Sequence, residues 1–214
     1  GPEEIYYELA RIYLLNRRVR EAESAYRRLL ESFPEAGPAK LKLAEIYEYQ
    51  GRGDEALALY RSAALESPED PEKALFLARA LMRHKKHDEA LEHILSCRRH
   101  FPRRLLFLEL LADVYGEKGE KMEALRVLEE ALVLDPYRAK IYKMLGELYF
   151  DTGDNHKAQE RLRSYHEKTC GDYRSHHVLG DVLRALGDKT GSRREYEKAL
   201  ELLRGNERAA GGKA

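Results

Sequence analysis

Apolar residues along the chain recur with the spacing of amphipathic helices. Between residues 37 and 70, Leu43, Ile46 and Tyr47 follow the i, i+3, i+4 spacing that places side chains on one face of a helix. Residues 51–54, Gly-Arg-Gly-Asp, interrupt this pattern with a turn and a potential helix cap. A second apolar series then continues to Pro68 through Ala56, Leu57, Leu59, Tyr60, Ala63 and Ala64. The pattern therefore predicts two short helices, A and B, joined by a tight turn.

The same two-helix unit recurs six times at a period of 34 residues. Prolines mark the end of four units, at Pro34, Pro68, Pro102 and Pro136. Small residues recur in helix A at Ala10, Ala44, Ala78, Ala112, Gly146 and Gly180. The frame divides the chain without insertions into residues 3–36, 37–70, 71–104, 105–138, 139–172 and 173–206. A period of this length indicates a solenoid, in which each unit buries its apolar face on its neighbours.

The repeated unit resembles the tetratricopeptide repeat. That family's pattern is an aromatic residue, Leu-Gly/Ala-x-x-Tyr, Ala-x-x-x-Phe/Tyr, Ala and Pro, and unit one matches it at Tyr6, Leu9, Ala10, Tyr13, Ala22, Tyr26 and Pro34. The resemblance implies an all-α fold, a right-handed superhelical solenoid of antiparallel helix pairs, with residues 3–206 forming a single domain. Unit five departs from the pattern because it ends in Thr169, Cys170 and Gly171 without a proline. We therefore expect its joint with unit six to pack differently.

The two ends of the chain carry separate expectations. Gly1 and Pro2 are interpreted as the remnant of a cleaved tag, and residues 207–214 as a flexible tail. Helix B of unit six contains Leu200, Leu202 and Leu203, whereas a solenoid normally closes with a polar capping helix. These leucines favour either a missing further repeat, which would make the chain a fragment of a larger protein or complex, or self-association through repeat 6.

Composition excludes several classes of function. The 38 Lys and Arg balance 38 Asp and Glu, which argues against a nucleic-acid binder that depends on a basic surface. No apolar run approaches the roughly 18 residues of a membrane helix, so direct membrane insertion is not expected. Two cysteines, Cys97 and Cys170, without a metal-binding spacing indicate reduced thiols, and we expect a cytoplasmic location.

A second stripe of helix A, opposite the signature residues, is more apolar than exposure to water requires. The family resemblance implies that this stripe lines a concave groove that binds extended or helical peptides. Packing against the next helix A is the alternative explanation for part of the stripe. The predicted groove consists of Tyr7, Arg11, Leu14, Leu41, Glu45, Tyr49, Leu75, Phe76, Arg79, Met82, Arg83, Leu110, Asp113, Lys143, Met144, Glu147, Phe150, His177 and Asp181.

Charge is distributed unevenly among the units. Unit three has nine Lys and Arg against four Asp and Glu, whereas units two and four are acidic. Its basic band comprises Lys85, Lys86, Arg98, Arg99, Arg103 and Arg104. The band could bind an acidic or phosphorylated segment of a partner, or it could be a solvated edge that pairs with the acidic units.

Motifs for chemistry are lacking in the sequence. The closest histidine groups, His84 with His87 and His176 with His177, have no carboxylate or cysteine at a usual metal-ligand spacing. No nucleophile–base pair or phosphate-binding loop is suggested, so neither a metal, a cofactor nor an enzymatic activity is expected. The sequence thus predicts a protein–protein interaction scaffold that binds a peptide or amphipathic helix of a partner. The alternatives are a self-association module and the non-catalytic arm of an enzyme.

Overall fold

Twelve α helices, two for each 34-residue unit, make up the part of the chain that the computed structural model describes, the backbone of residues 2–211 and the side chains of residues 3–205. The helices are α1 (Pro2–Leu15), α2 (Val19–Ser32), α3 (Gly37–Tyr49), α4 (Gly53–Glu66), α5 (Pro71–Arg83), α6 (His87–His100), α7 (Leu105–Glu117), α8 (Lys121–Leu134), α9 (Ala139–Asp151), α10 (Asn155–Lys168), α11 (Tyr173–Ala185) and α12 (Lys189–Gly211). The prediction of an all-α fold built from helix pairs is confirmed.

The turn between helices A and B has the same backbone conformation in all six units. Each unit has a residue with positive φ at the equivalent place, and these residues are Arg17, Gly51, Lys85, Gly119, Gly153 and Gly187. Beside Gly51, the Arg52 N–H donates to the Tyr47 carbonyl at 2.8 Å and closes the end of helix A. Glycine adopts this left-handed conformation without steric cost, whereas arginine and lysine do not. All six A helices thus end in the left-handed conformation, with strain in two of the six.

Small residues allow helices A and B to approach closely within a unit. Ala10, Ala44 and Ala78 are completely buried at the crossing points. In the later units, a Cβ atom on Gly146 would lie 2.6 Å from Leu162 Cγ. A Cβ atom on Gly180 would lie 2.5 Å from the ring of Tyr196. The helix pairs therefore pack at a separation that a larger side chain would not permit.

Apart from its six 34-residue units, the chain divides into two larger compact units, each with its own core. The first compact unit ends at residue 110, and the second begins at residue 111. In the first unit, α1 to α6 pack in sequence, each helix on the next. Its most deeply buried large side chains are Leu29, Ile94, Phe107 and Leu108. In the second unit, α8 to α12 pack in the same way, around Leu128, Ile141, Leu145 and Leu162. None of the helices in the described residues is long and apolar enough to span a membrane.

The segment between α10 and α11 replaces the missing proline with a network of local hydrogen bonds. Gly171 has a φ of 72°, and the following Asp172 caps α11 by accepting from the Ser175 N–H at 2.9 Å. The Ser175 hydroxyl in turn accepts from the Asp172 N–H at 3.0 Å, which completes a capping box. This local network fixes the beginning of α11 without proline.

The last helix extends beyond residue 206, where the sixth 34-residue unit was predicted to end. The backbone of α12 continues through Gly211, so residues 207–211 of the expected tail are helical. Residues 212–214 lie outside the described residues, as does Gly1. The flexibility of the tail and the origin of the first two residues remain predictions.

Candidate partner-binding surface

In the first compact unit, up to residue 110, the predicted groove residues differ widely in exposure. Leu75 is only 5% exposed and belongs to the core, so it offers almost no surface to a partner. Tyr49, by contrast, is 81% exposed at the end of α3. Arg11, Leu14, Arg79 and Arg83 are also exposed, whereas Tyr7, Leu41, Glu45, Phe76, Met82 and Leu110 are half-buried. The accessible part of the stripe is therefore narrower than the sequence predicts.

Packing on helix B explains why two aromatic residues of the stripe are half-buried. The ring of Tyr7 meets that of Tyr26 edge-on, with 6.1 Å between centroids. The ring of Phe76 stacks on Tyr60 at the same distance, with an angle of 7° between the planes. Such contacts stabilise the fold by about 1 kcal/mol beyond burial itself. Tyr7 and Phe76 are thus structural residues that remain half-buried.

Charged residues connect the ends of α3 and α5 in the first unit. Glu48 accepts from Arg83 at 2.9 Å, and His84 Nε2 lies 3.1 Å from the same carboxylate oxygen. This cluster links the end of α3, where the exposed Tyr49 lies, to the end of α5. Arg11 and Glu45 pair within their own helices, with Glu8 and Lys42 respectively.

One exposed cation of the predicted groove has no partner. Arg79 makes no ion pair or side-chain hydrogen bond with the residues that the structure describes. It precedes Met82 and Arg83 by one helical turn on α5. An unpaired guanidinium beside half-buried apolar side chains is suited to a partner carboxylate.

In the second compact unit, from residue 111 onward, the stripe contains a cluster around Lys143. The Lys143 ammonium donates to Asp172 Oδ2 at 2.7 Å, and Tyr165 donates to the same oxygen at 3.0 Å. Burial would raise the pKa of Asp172, but these hydrogen bonds and that from the Ser175 N–H outweigh it and lower the pKa. Burial also raises the pKa of the nearby Glu147 carboxyl, against the opposing effect of Lys143. Lys143 and Asp172 therefore join α9 to the beginning of α11.

The other predicted residues of the second unit are more loosely associated. Asp181 accepts from Tyr196 at 2.7 Å and from Arg184 at 2.8 Å, and the exposed His177 lies 3.4 Å from it. Met144, Phe150 and Asp113 are half-buried. Lys143 and Asp181, on the same stripe, are paired, in contrast to Arg79.

The basic band of unit three lies largely in solvent. Lys85, Arg99, Arg103 and Arg104 are exposed, and Lys86 and Arg98 are half-buried. Lys86 pairs at 3.4 Å with Glu89 of its own repeat, and Glu89 also contacts Arg61 of the preceding repeat. Pairing between repeats thus occurs, but Arg99, Arg103 and Arg104 make no ion pair with described residues.

An apolar face of α1 was not singled out from the sequence. Ile5, Leu9 and Ile12 are 68%, 37% and 50% exposed. The equivalent residues of repeat two, Ala39, Leu43 and Ile46, are at most 5% exposed. The exposures of Leu200, Leu202 and Leu203 on α12, between 36% and 46%, agree with an uncovered face at the other end. The sequence contained this signal, since these α1 positions are apolar in frame with buried ones.

A cluster of three potential metal ligands was also not evident in the sequence. His166, His176 and Glu195 belong to α10, α11 and α12, and one ligand atom from each lies within 4.8 Å of the others. Their separations of 10 and 19 residues correspond to no local motif, because helix packing brings them together. The histidine pairs noted in the sequence do not form this group: only His176 takes part.

Paired helices with small residues at their crossings and left-handed turns at a 34-residue period define a helical repeat protein. Family models of the tetratricopeptide repeat match residues 7–74 and 109–162, residues 49–114 and residues 173–203. The first model alone covers more than half of the chain, which therefore belongs to the tetratricopeptide repeat family. Proteins of this family are generally non-catalytic scaffolds that mediate protein–protein interactions.

Solved structures of similar fold include several tetratricopeptide repeat proteins. PilW, a widely conserved type IV pilus biogenesis factor, is 21% identical, with a TM-score of 0.76 over 94% of this chain and 93% of its own. MamA of Desulfovibrio magneticus is 20% identical, with a TM-score of 0.70 over 79% of this chain and 96% of its own. A thermophilic protein of Thermus thermophilus is 27% identical, with a TM-score of 0.60 over 78% of this chain and 91% of its own. A search of curated protein sequences found no match.

Proposed function

We propose that the surface formed by the A helices of the first compact unit binds a segment of a partner protein, either an amphipathic helix or an extended peptide. The observation that carries this proposal is the combination of the exposed Tyr49 ring, the half-buried Met82 and the unpaired Arg79 on adjacent A helices. Aromatic and methionine side chains bind varied apolar surfaces, and arginine binds carboxylates. The partner segment therefore carries apolar anchors with an acidic residue beside them.

The contribution of each residue follows from its environment. Tyr49 offers a large, rigid surface at little cost in conformational entropy because its ring has few rotatable bonds. Met82 can adjust its shape to an incoming side chain. Arg79 selects for a carboxylate at one end of the anchors, and loss of a charge-assisted contact costs about 1.5–3 kcal/mol. Residues such as Leu75 contribute only by holding α5 in place.

Peptide display provides the test, because it does not require the partner to be known. Acidic-apolar peptides selected on the wild-type protein should bind at least tenfold more weakly to Tyr49→Ser and Arg79→Glu. Tyr137→Ser is the matched control, since Tyr137 is 86% exposed but lies in the turn before α9. Selected peptides that bind all three variants with unchanged affinity would contradict the proposal, provided circular dichroism shows that the variants are folded.

A second function, self-association, is favoured by the apolar face of α1. Ile5, Leu9 and Ile12 occupy positions that are buried in repeat two, so this face has the shape of a surface that accepts another helix pair. The leucines of α12 form a second uncovered apolar face, and the occupant we propose is the α12 face of a second copy. Light scattering across a concentration series should then show association that Ile12→Glu abolishes and Leu65→Glu, at an exposed position of α4, leaves intact. A monomer at all concentrations would exclude this function.

A further inference from the structure

The joint between repeats five and six brings two imidazoles and a carboxylate together from three helices. His166 lies on α10, His176 on α11 and Glu195 on α12, with ligand atoms within 4.8 Å of one another. His176 is 5% exposed, and the rings of the two histidines have centroids 4.1 Å apart. Three side chains that can each bind a metal ion therefore meet at one point of this joint.

Polar contacts at both ring nitrogens fix the orientation of His176. Its Nδ1 lies 2.6 Å from Glu195 Oε2, and its Nε2 lies 3.4 Å from the carbonyl oxygen of Cys170. In the neutral form that donates from Nδ1 to Glu195, the Nε2 electron pair faces a carbonyl oxygen. Two acceptors that face each other gain nothing from the contact, whereas a cation nearby would be attracted to both.

Gly171 allows both imidazole rings to lie against the backbone. A Cβ atom at this position would lie 2.7 Å from His176 Nε2 and 3.0 Å from His166 Nε2. Both nitrogens therefore border the same small volume beside the backbone. His166 Nε2 also lies 2.9 Å from the Ser175 hydroxyl, and Glu195 Oε1 accepts from Lys198 at 3.2 Å. Metal binding at both Nε2 atoms and Glu195 would exchange the serine contact and the contact between His176 Nδ1 and Glu195 for coordination.

We propose that His166, His176 and Glu195 bind a divalent transition-metal ion, with Zn²⁺ as the best match. Two imidazoles and one carboxylate are typical zinc ligands, whereas Mg²⁺ and Ca²⁺ prefer oxygen ligands alone. Zinc bonds of about 2.1 Å place tetrahedral ligand atoms about 3.4 Å apart, so closing the present arrangement requires only side-chain rotations. A water molecule would occupy the fourth position. The ion would link α10, α11 and α12 where the family's proline is missing.

Calorimetric titration of Zn²⁺ into chelator-treated protein that carries no histidine tag tests the proposal. One ion should bind per chain with a Kd of about 10 μM or tighter, and at a hundredfold excess over Kd the unfolding midpoint should rise by about 5–10 °C. Co²⁺ in place of Zn²⁺ should give the visible absorption bands of a tetrahedral site. The variants His166→Gln and Glu195→Gln should each weaken binding at least tenfold.

Each ligand has a matched control on its own helix. His156→Gln on α10, His177→Gln on α11 and Glu197→Gln on α12 change residues of the same type outside the cluster and should leave zinc affinity unchanged. Wild-type protein that binds no zinc below about 100 μM would overturn the proposal without reference to any variant. Binding that the controls weaken as much as the ligand variants would also overturn it, because adventitious surface binding would then account for the result.

Discussion

Two residues in left-handed turns allow the cost of backbone strain in this array to be measured directly. Lys85 has a φ of 56° at the end of α5, where other repeats place glycine, as at Gly51 with a φ of 75°. The same hydrogen bonds close both turns: the Lys86 N–H donates to the Leu81 carbonyl at 2.9 Å, and the Arg52 N–H to the Tyr47 carbonyl at 2.8 Å. Replacement of Lys85 by glycine should therefore preserve the turn and remove only its strain.

The magnitude follows from two opposing effects. A non-glycine residue loses about 1–2 kcal/mol of stability in the left-handed conformation. Glycine makes the unfolded chain more flexible and so cancels about 0.4–1 kcal/mol of the gain. Lys85→Gly should thus raise the free energy of unfolding by about 1 kcal/mol. The Lys85 side chain makes no ion pair or hydrogen bond with described residues, so no contact is lost in exchange.

Gly51→Ala is the matched opposite change, at the equivalent turn position of the preceding 34-residue unit. A Cβ atom at Gly51 would meet no atom within 4 Å, so alanine adds backbone strain without a steric clash. It should lower the free energy of unfolding by about 1 kcal/mol. Urea denaturation followed by circular dichroism should show opposite shifts in midpoint for the two variants at unchanged slope. If Lys85→Gly is destabilising, or if Gly51→Ala is neutral, the assignment of strain to these turns is wrong.

Three further predictions concern packing, charge and thiol reactivity. Leu145→Ala should lower the free energy of unfolding by about 2–5 kcal/mol in urea denaturation, because Leu145 is completely buried and its removal leaves a cavity. Asp172→Ala should cost about 1 kcal/mol through loss of its cap. The pKa of Asp172 is lower in the folded protein than its unfolded value near 3.9, so its charge stabilises the fold above that value. This stabilisation is lost as the pH falls through the folded pKa. In acid titrations, the wild type should therefore lose its advantage in stability over the variant in this pH range. The exposed Cys170 should react with a thiol reagent in the folded protein, whereas Cys97, with a pKa raised by burial to about 11, should react only on unfolding.

The helices and their turns were predictable because local interactions determine them. The 34-residue period assigned helix A and helix B in every unit, and residues 51–54 marked the turn in which Gly51 is left-handed. Small residues at the crossings followed from the same frame. Arg17 and Lys85 occupy the equivalent turn position without being glycine, so their conformation is imposed by the repeat and not by their own preference.

The predicted groove shows the limit of such reasoning. Leu75 and Phe76 are adjacent in α5, yet the first is in the core and the second stacks on Tyr60 and is half-buried. Helical periodicity places both residues near the boundary between a buried and a free face, and their exposure depends on how the neighbouring helices are rotated. Pairing of Arg83 with Glu48, 35 residues away, depends on the same packing.

The sequence by itself determined the family, the number of helix pairs and the residues that end each helix, because repeated local patterns encode them. Only the tertiary structure decided that the apolar stripe of α1 is uncovered, that Arg79 is unpaired on the helix that carries Met82, and that His166, His176 and Glu195 meet. These features arise between helices that are distant in sequence. Their distances are set by the packing of whole helices, which the spacing of residues within one helix does not specify.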